Sequence, residues 1–343
     1  MNDRDQKLRS RLESIKHGDE PPSRIVPLAG DASTRAYFRT FYSDQTTKIF
    51  MVQQNPGQNE EAQFLDVHGF LKDLGFAIPR IHYHDAEQGI IVLEDLGDDL
   101  LETVVDRIGI EPARHLYEQA VDLLLTVRHA TDGLNSGCCA FDLAFDQAKL
   151  MEEMRFFLMH FVQGMCGMTP STEALTSLEQ FFTGICSMLG SEPRFFTHRD
   201  FHSRNLILHN KRLFMIDFQD ARMGPAQYDL ASLLRDSYVT LPEKLVDEML
   251  YRYLDGARSS DRVSADMFRY VFDVMCLQRN IKALGTFGYQ STIRGSTRYL
   301  SSIPRTRAYV ARNIARYPEF GPYRSVVEDF IIEPAIALTT TDR

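Results

Sequence analysis

The sequence predicts an α+β fold in two lobes. The first is a small N-terminal lobe with an antiparallel sheet plus one helix, and the second is larger and mainly helical. Three observations carry this reading. A polar turn, Ser43-Asp44-Gln45, separates two runs rich in aromatic and β-branched residues, Tyr37–Phe41 and Lys48–Val52, which is the pattern of a hairpin. After Gly97 the patterns become helical. A polar loop from Thr197 to Asn205 then leads into two short apolar runs joined at Asn210-Lys211. The length of 343 residues suits two domains or one bilobal unit. With 44% hydrophobic and 25% charged residues, the chain has the composition of a globular protein, not a disordered or fibrous one.

Each element follows from its residues. Residues 1–22 are polar, end in Pro21-Pro22, and read as an arm or helix ahead of the domain proper. The N-lobe is expected over 23–96. After the hairpin, Asn59 can cap a helix running to about Leu74, in which Phe64, Val67, His68, Leu71 and Leu74 recur at helical spacing. Gly75 and Pro79 stop it, and a short apolar strand, Ile90–Leu93, follows Gly89. The C-lobe is expected over 97–343. It is helical to about residue 190 apart from the loop TDGLNSGCCAFD, then carries the strands LILH and LFMI, and is helical again from about Ala231 to 330.

Composition also excludes function classes. A formal net charge of −9 repels a phosphate backbone, so no nucleic-acid partner is expected. The least charged long stretch, Phe156 to Thr172, is too polar to span a bilayer. The charged start, MNDRDQKLRSRLESIK, is no secretory signal. Five cysteines, an odd number with no C-x-x-C pair, read as small buried thiols in a reducing, cytoplasmic setting.

The chemistry lies between His198 and Asp229. Asp200 sits in a loop before a strand, Asn205 begins that strand, and Asp217 ends the returning one. A hairpin brings Asn205 and Asp217 to the same end, with Asp200 on the loop above. Such oxygen ligands suit Mg²⁺, which shares its shell with substrate phosphates. Asp200 is then left to accept a proton from a hydroxyl nucleophile.

H-x-D-x-x-x-x-N, followed twelve residues later by the Asp of I-D-F, resembles the catalytic segment of the aminoglycoside phosphotransferase and choline kinase family. This is the small-molecule branch of the protein-kinase-like fold. The segment GPAQYDLASLLRD looks like that family's stretch after the metal-binding Asp, in which Asp229 would be a structural anchor. The resemblance implies ATP and Mg²⁺ as cofactors, Asp200 as catalytic base, and Asn205 and Asp217 as metal ligands. His198 would shape the loop.

Gly30-Asp31-Ala32-Ser33, between an expected first strand and the hairpin, is a poor match to a kinase glycine-rich loop, and a plain β-turn also explains it. In context, the backbone N–H groups of Asp31 to Thr34 are candidates to face the ATP phosphates. Adenine would meet backbone atoms near Glu94, Asp95 and Leu96. Kinases of this fold usually carry a lysine on the third strand, paired with a helix glutamate. Here IFMVQ has none, Gln53 is near its place, and Glu60 or Glu61 would lack its partner. A cation from elsewhere, for example Arg35 or Arg39, is expected to take the phosphate role. The other reading is a nucleotide-binding module without transferase activity.

Over most of the chain, PLAGDASTRAYFR, IVLEDLGDDLLE, HRDFHSRNLIL and LQRNIKALGTF resemble one subgroup, the anomeric kinases of cell-wall amino sugars. Its members phosphorylate the C1 hydroxyl of N-acetylmuramate and N-acetylglucosamine in peptidoglycan recycling. The resemblance makes a small amino sugar the expected partner. Arg204, Arg279 and Lys282 are candidate substrate contacts, the last two to a lactyl carboxylate. The segment GYQSTIRGSTRYLSSIP departs from the subgroup and leaves the acceptor open among amino sugars, another sugar, an aminoglycoside, choline or homoserine.

Overall fold

The computed structural model describes residues 22–28, 35–53, 59–134, 136–257 and 263–336. The expected N-terminal arm and the loop Gly30, Asp31, Ala32, Ser33 and Thr34 lie outside the described residues, as does the side chain of Asn59. The chain divides into two compact units, residues 1–99 with 207–219, and residues 100–206 with 220–343.

The first unit holds a five-stranded sheet in the order β1-β2-β3-β5-β4: β1 Arg24–Pro27, β2 Arg35–Phe41, β3 Thr47–Gln53, β4 Ile81–Asp85 and β5 Ile90–Glu94. Every pairing is antiparallel, and the β2–β3 hairpin sets Arg35 opposite Gln53 and Tyr37 opposite Met51. Side chains alternate along a strand. Ala36, Phe38, Phe50, Val52, Ile90 and Val92 therefore cluster with Ile25 on one face. Met51, Ile91 and Leu93 are buried on the other, so the central strands are covered on both faces. The helix α1, Asn59–Asp73, buries Phe64, Val67 and Leu71.

The sequence-based division at 96/97 set the hairpin β7 (Leu206–His209) and β8 (Arg212–Met215) with the helical part. Here 207–219 packs with the first unit instead. Leu208 N donates to Asp99 O at 2.8 Å, Met215 N donates to Ala77 O at 2.9 Å, and the Phe218 ring stacks on Phe64 at 5.3 Å. Strand β4, not among the expected elements, closes the sheet edge. Its residues His82 and Tyr83 are exposed, so the apolar run that marks a buried strand is absent.

The second unit is mainly helical: α2 Leu101–Ile108, α3 Ile110–Thr131, α4 Gln147–Phe157, α5 Thr172–Ser191, α6 Gln227–Leu234, α7 Glu243–Gly256, α8 Ala265–Thr292, α9 Ile303–Arg316 and α10 Arg324–Val327. A two-stranded pair, β6 (Arg194–Thr197) with β9 (Arg222–Pro225), leads into the loop that holds Asp200. Side-chain caps start three of these helices where the sequence offers them. Asp146, Ser171 and Ser264 accept from Lys149 N, Ala174 N and Met267 N. At 28 residues, α8 is the spine of the unit and packs against α4, α6 and α9. A π-helical segment, Leu158–Met165, continues α4 and lies against α8. Gly285 permits this approach, since a Cβ there would sit 2.7 Å from the Phe157 Cα. Among the described residues no helix is long and apolar enough to cross a membrane.

Candidate active site

The loop after β6 is held by carboxylates from below. Asp229, in the first turn of α6, accepts from His198 N at 2.6 Å and from Arg199 N at 3.0 Å. Burial pushes its carboxyl up, although His198 opposes the shift. Asp236 accepts from Ser203 N at 2.9 Å and from Tyr238 N at 2.7 Å, and burial raises its pKa to about 6. Arg199 adopts φ of 78°, a region unfavourable for a non-glycine residue, which turns the chain at the point where Asp200 is presented. Asn205 donates Nδ2–H to Asp200 O at 2.9 Å, closing the loop.

Asp200 is surrounded by positive charge. Lys282 Nζ lies 3.3 Å from Oδ1, Arg279 lies 3.9 Å from the same oxygen, and Arg199 Nε lies 4.0 Å from Oδ2. Burial alone would raise this carboxyl. Lys282, then Arg199 and Arg279, outweigh it and hold the group well below the ordinary carboxylate range. The cost falls on Lys282, whose pKa burial lowers against the pull of Asp200. Arg279 is fixed by a 2.7 Å bond to Arg199 O and by the Tyr228 ring, 4.5 Å below its guanidinium. Arg199 reaches Asp220 at 3.0 Å. Arg279 and Lys282, expected to contact substrate, both lie beside the Asp200 carboxylate.

Arg204 is held differently. It is bidentate to Glu102 at 2.6 and 2.9 Å and stacks over Tyr238 at 3.6 Å. Its guanidinium is engaged by α2, a partner the sequence did not signal.

In the first unit, Asp217 follows β8 with φ of 61° and accepts from Gln219 Nε2 at 2.7 Å. Tyr37 lies beside it: burial first, and then the Asp217 charge, raise its phenol to about 12, while Arg35 opposes by charge and hydrogen bond. Arg35 also donates to Glu60 O at 3.1 Å. Arg39 is committed to Asp95 at 2.6 Å and Asp98 at 2.8 Å. Of the two candidate helix glutamates, Glu61 pairs with His84 of β4 at 2.5 Å. At the expected adenine segment, Glu94 N donates to Arg80 O at 2.8 Å and Leu96 O is bonded to His209 Nδ1 at 3.0 Å, so those two atoms are taken.

Comparison with known proteins agrees with this geometry. Residues 24–266 match the phosphotransferase enzyme family. The N-acetylmuramate/N-acetylglucosamine kinase of Pseudomonas aeruginosa is 31% identical over 305 residues, covering 88% of this chain and 87% of that protein. The kinase of the same name from Neisseria meningitidis is 29% identical, covering 95% of each. Among solved structures, choline kinase from Cryptosporidium parvum superposes with a TM-score of 0.63 at 12% identity, covering 95% of this chain and 100% of that one. An ADP-bound aminoglycoside phosphotransferase superposes with a TM-score of 0.60 at 15% identity, covering 93% and 99%. These neighbours establish the protein-kinase-like fold. With a loop-borne aspartate, the asparagine five residues on and the family match over most of its length, the chain belongs to the phosphotransferase enzyme family.

Proposed function

We propose that the protein is an ATP-dependent kinase that phosphorylates the anomeric C1 hydroxyl of N-acetylmuramate or N-acetylglucosamine in the cytoplasm. Mg·ATP supplies the γ-phosphoryl group and a cation that offsets charge on the phosphates. Asp200 accepts the hydrogen bond of the C1 hydroxyl, aligns its oxygen with the γ-phosphorus, and takes the proton as the O–P bond forms and ADP departs. Asn205 and Asp217 are the proposed Mg²⁺ ligands. Their oxygen donors fit that ion, which takes carboxylate ligands alongside phosphates and water. Arg35, beside Asp217 and Tyr37, is the proposed substitute for the third-strand lysine, since Arg39 is spent on Asp95 and Asp98. The loop Gly30, Asp31, Ala32, Ser33 and Thr34 is proposed to face the phosphates, and the adenine to use the remaining backbone atoms of Glu94, Asp95 and Leu96.

The observation that carries the acceptor class is the cation ring around Asp200, with three basic groups within 4.0 Å of the carboxylate. Asp200 is already paired with Lys282 and Arg279, so it offers no bare carboxylate to a polycationic aminoglycoside or a choline ammonium, whereas a neutral or anionic sugar needs none. The sugar kinases among its relatives point the same way.

The test is a transfer assay with Mg·ATP against N-acetylmuramate, N-acetylglucosamine, other hexoses, choline, homoserine and kanamycin, with products read by phosphorus NMR. An anomeric phosphate on an N-acetyl sugar supports the proposal. Phosphate on choline or kanamycin only would overturn it. ATP binding without any transfer would favour a nucleotide-binding module.

A further inference from the structure

Between Val271 and Gln290, α8 is buried around its circumference except for one stripe. Arg279, Lys282, Ala283, Thr286 and Tyr289 are half-buried and recur at steps of three and four along one face. The stripe begins at the proposed base, where Lys282 meets Asp200 at 3.3 Å. Tyr289 lies roughly 10 Å further along the helix axis, at 1.5 Å per residue. Helical side chains lean back toward the N-terminus, so its ring covers ground on the Lys282 side of its own Cα.

Tyr289 belongs to an aromatic wall. Its ring stands 5.0 Å from His160 and 5.6 Å from Phe156, and those two rings are 4.3 Å apart. His160 sits in the π-helical segment, a rare conformation that is often found at functional sites. Gly288 lets that segment come close enough to Tyr289, because a Cβ there would meet the His160 carbonyl carbon at 2.6 Å. Beyond the helix end, exposed Arg294 places its guanidinium 5.7 Å from the Tyr289 ring centroid. Among the described residues, no ion pair engages Arg294.

We infer that Tyr289, His160 and Phe156 form the acceptor-side wall of the site, and that Arg294 at its far end reads a carboxylate on the acceptor. The enzyme would then prefer a carboxylate-bearing acylated amino sugar over its neutral counterpart. This rests on the amino-sugar reading above. Cations nearer the base do not suit the carboxylate. Arg279 is bound to Arg199 O and Tyr228, and an anion on Lys282 would compete with Asp200 for its charge. An acceptor aligned with C1 at Asp200 would instead lay its ring substituents along the stripe, with C–H and methyl groups on the aromatic faces and an acid group at Arg294.

The test is steady-state kinetics of the full chain with Mg·ATP and both sugars. Arg294→Gln is expected to raise KM for N-acetylmuramate about tenfold relative to that for N-acetylglucosamine, the value of a charged hydrogen bond. Arg294→Lys, which keeps the charge, should recover most of it. If the wild type turns over both sugars and Arg294→Gln leaves their KM ratio within twofold, the inference is wrong while the kinase reading stands. A wild type that accepts only the neutral sugar also overturns it. A wild type that phosphorylates neither sugar overturns the acceptor reading, and this inference with it.

Discussion

Replacing Lys282 by methionine tests the charge arrangement at Asp200 directly. The side chains are close in length, so the change removes an ammonium while keeping most of the packing. At 3.3 Å the pair is worth at most about 5 kcal/mol for an effective dielectric near 20. Both groups are partly exposed, at 17% and 23%, and two guanidiniums remain within 4.0 Å, so most of that is screened or replaced. A net loss of roughly 1.5–3 kcal/mol, the range for a hydrogen bond to a charged group, is expected. If it is expressed in the transition state, kcat/KM falls about 10- to 100-fold. The pH profile separates this from a simple packing defect. The wild-type Asp200 carboxyl is held well below its ordinary value, so it stays ionised as pH falls and is lost only below its depressed pKa. Without Lys282, burial gains ground and that pKa rises. The acid limb of kcat/KM should therefore move to higher pH, while Lys282→Arg should restore the limb. The assay is kcat/KM against pH at saturating Mg·ATP, with thermal unfolding as the check on folding. A folded Lys282→Met protein whose acid limb and kcat/KM stay within twofold of wild type would refute the reasoning.

The remaining expectations concern other parts of the molecule. Asp200→Asn should lower kcat by about 10²–10⁴ with little change in nucleotide affinity, and near-wild-type turnover would remove the base assignment. Arg35→Ala should raise KM for ATP about tenfold or more, whereas Arg39→Ala should do less because that guanidinium already serves Asp95 and Asp98. Equal effects would contradict the division of roles. Asp236 has a folded pKa raised from 3.8 to about 6 by burial, so the folded state takes up its proton first, and this group's contribution to stability declines as pH rises from about 4 to 6. Relative to Asp236→Asn, the wild type should lose up to ~3 kcal/mol across that window, measured by urea unfolding at each pH; parallel curves would count against it. Gly288→Ala should destabilise by about 1–3 kcal/mol, because the added Cβ meets the His160 backbone, which cannot swing aside. An unfolding midpoint like that of wild type would show that the π-helical segment yields.

Local pattern made several elements legible. The hairpin around Asp44, the helix after Asn59 and the strand after Gly89 appear close to where alternation, periodicity and breakers put them. The order His198, Asp200, Asn205, Asp217 was legible because a loop–strand–turn–strand run holds its parts within about twenty residues. Strand β4 was not, since its exposed His82 and Tyr83 leave no apolar alternation. The π-helical segment was not, since it packs against Gly285 and Gly288 more than a hundred residues away.

What the sequence by itself determined is the fold class, because hairpin alternation, helical periodicity and breakers are written in local spacing. The tertiary structure alone decided how the charges are spent. Lys282 meets Asp200 across 82 residues, Arg204 is taken by Glu102 across 102, and Arg39 is taken by Asp95 and Asp98. It also paired Glu61 with His84. A side chain of either sign is compatible with many partners along a sequence. Only packing settles which oppositely charged group is close enough, and dry enough, to hold it.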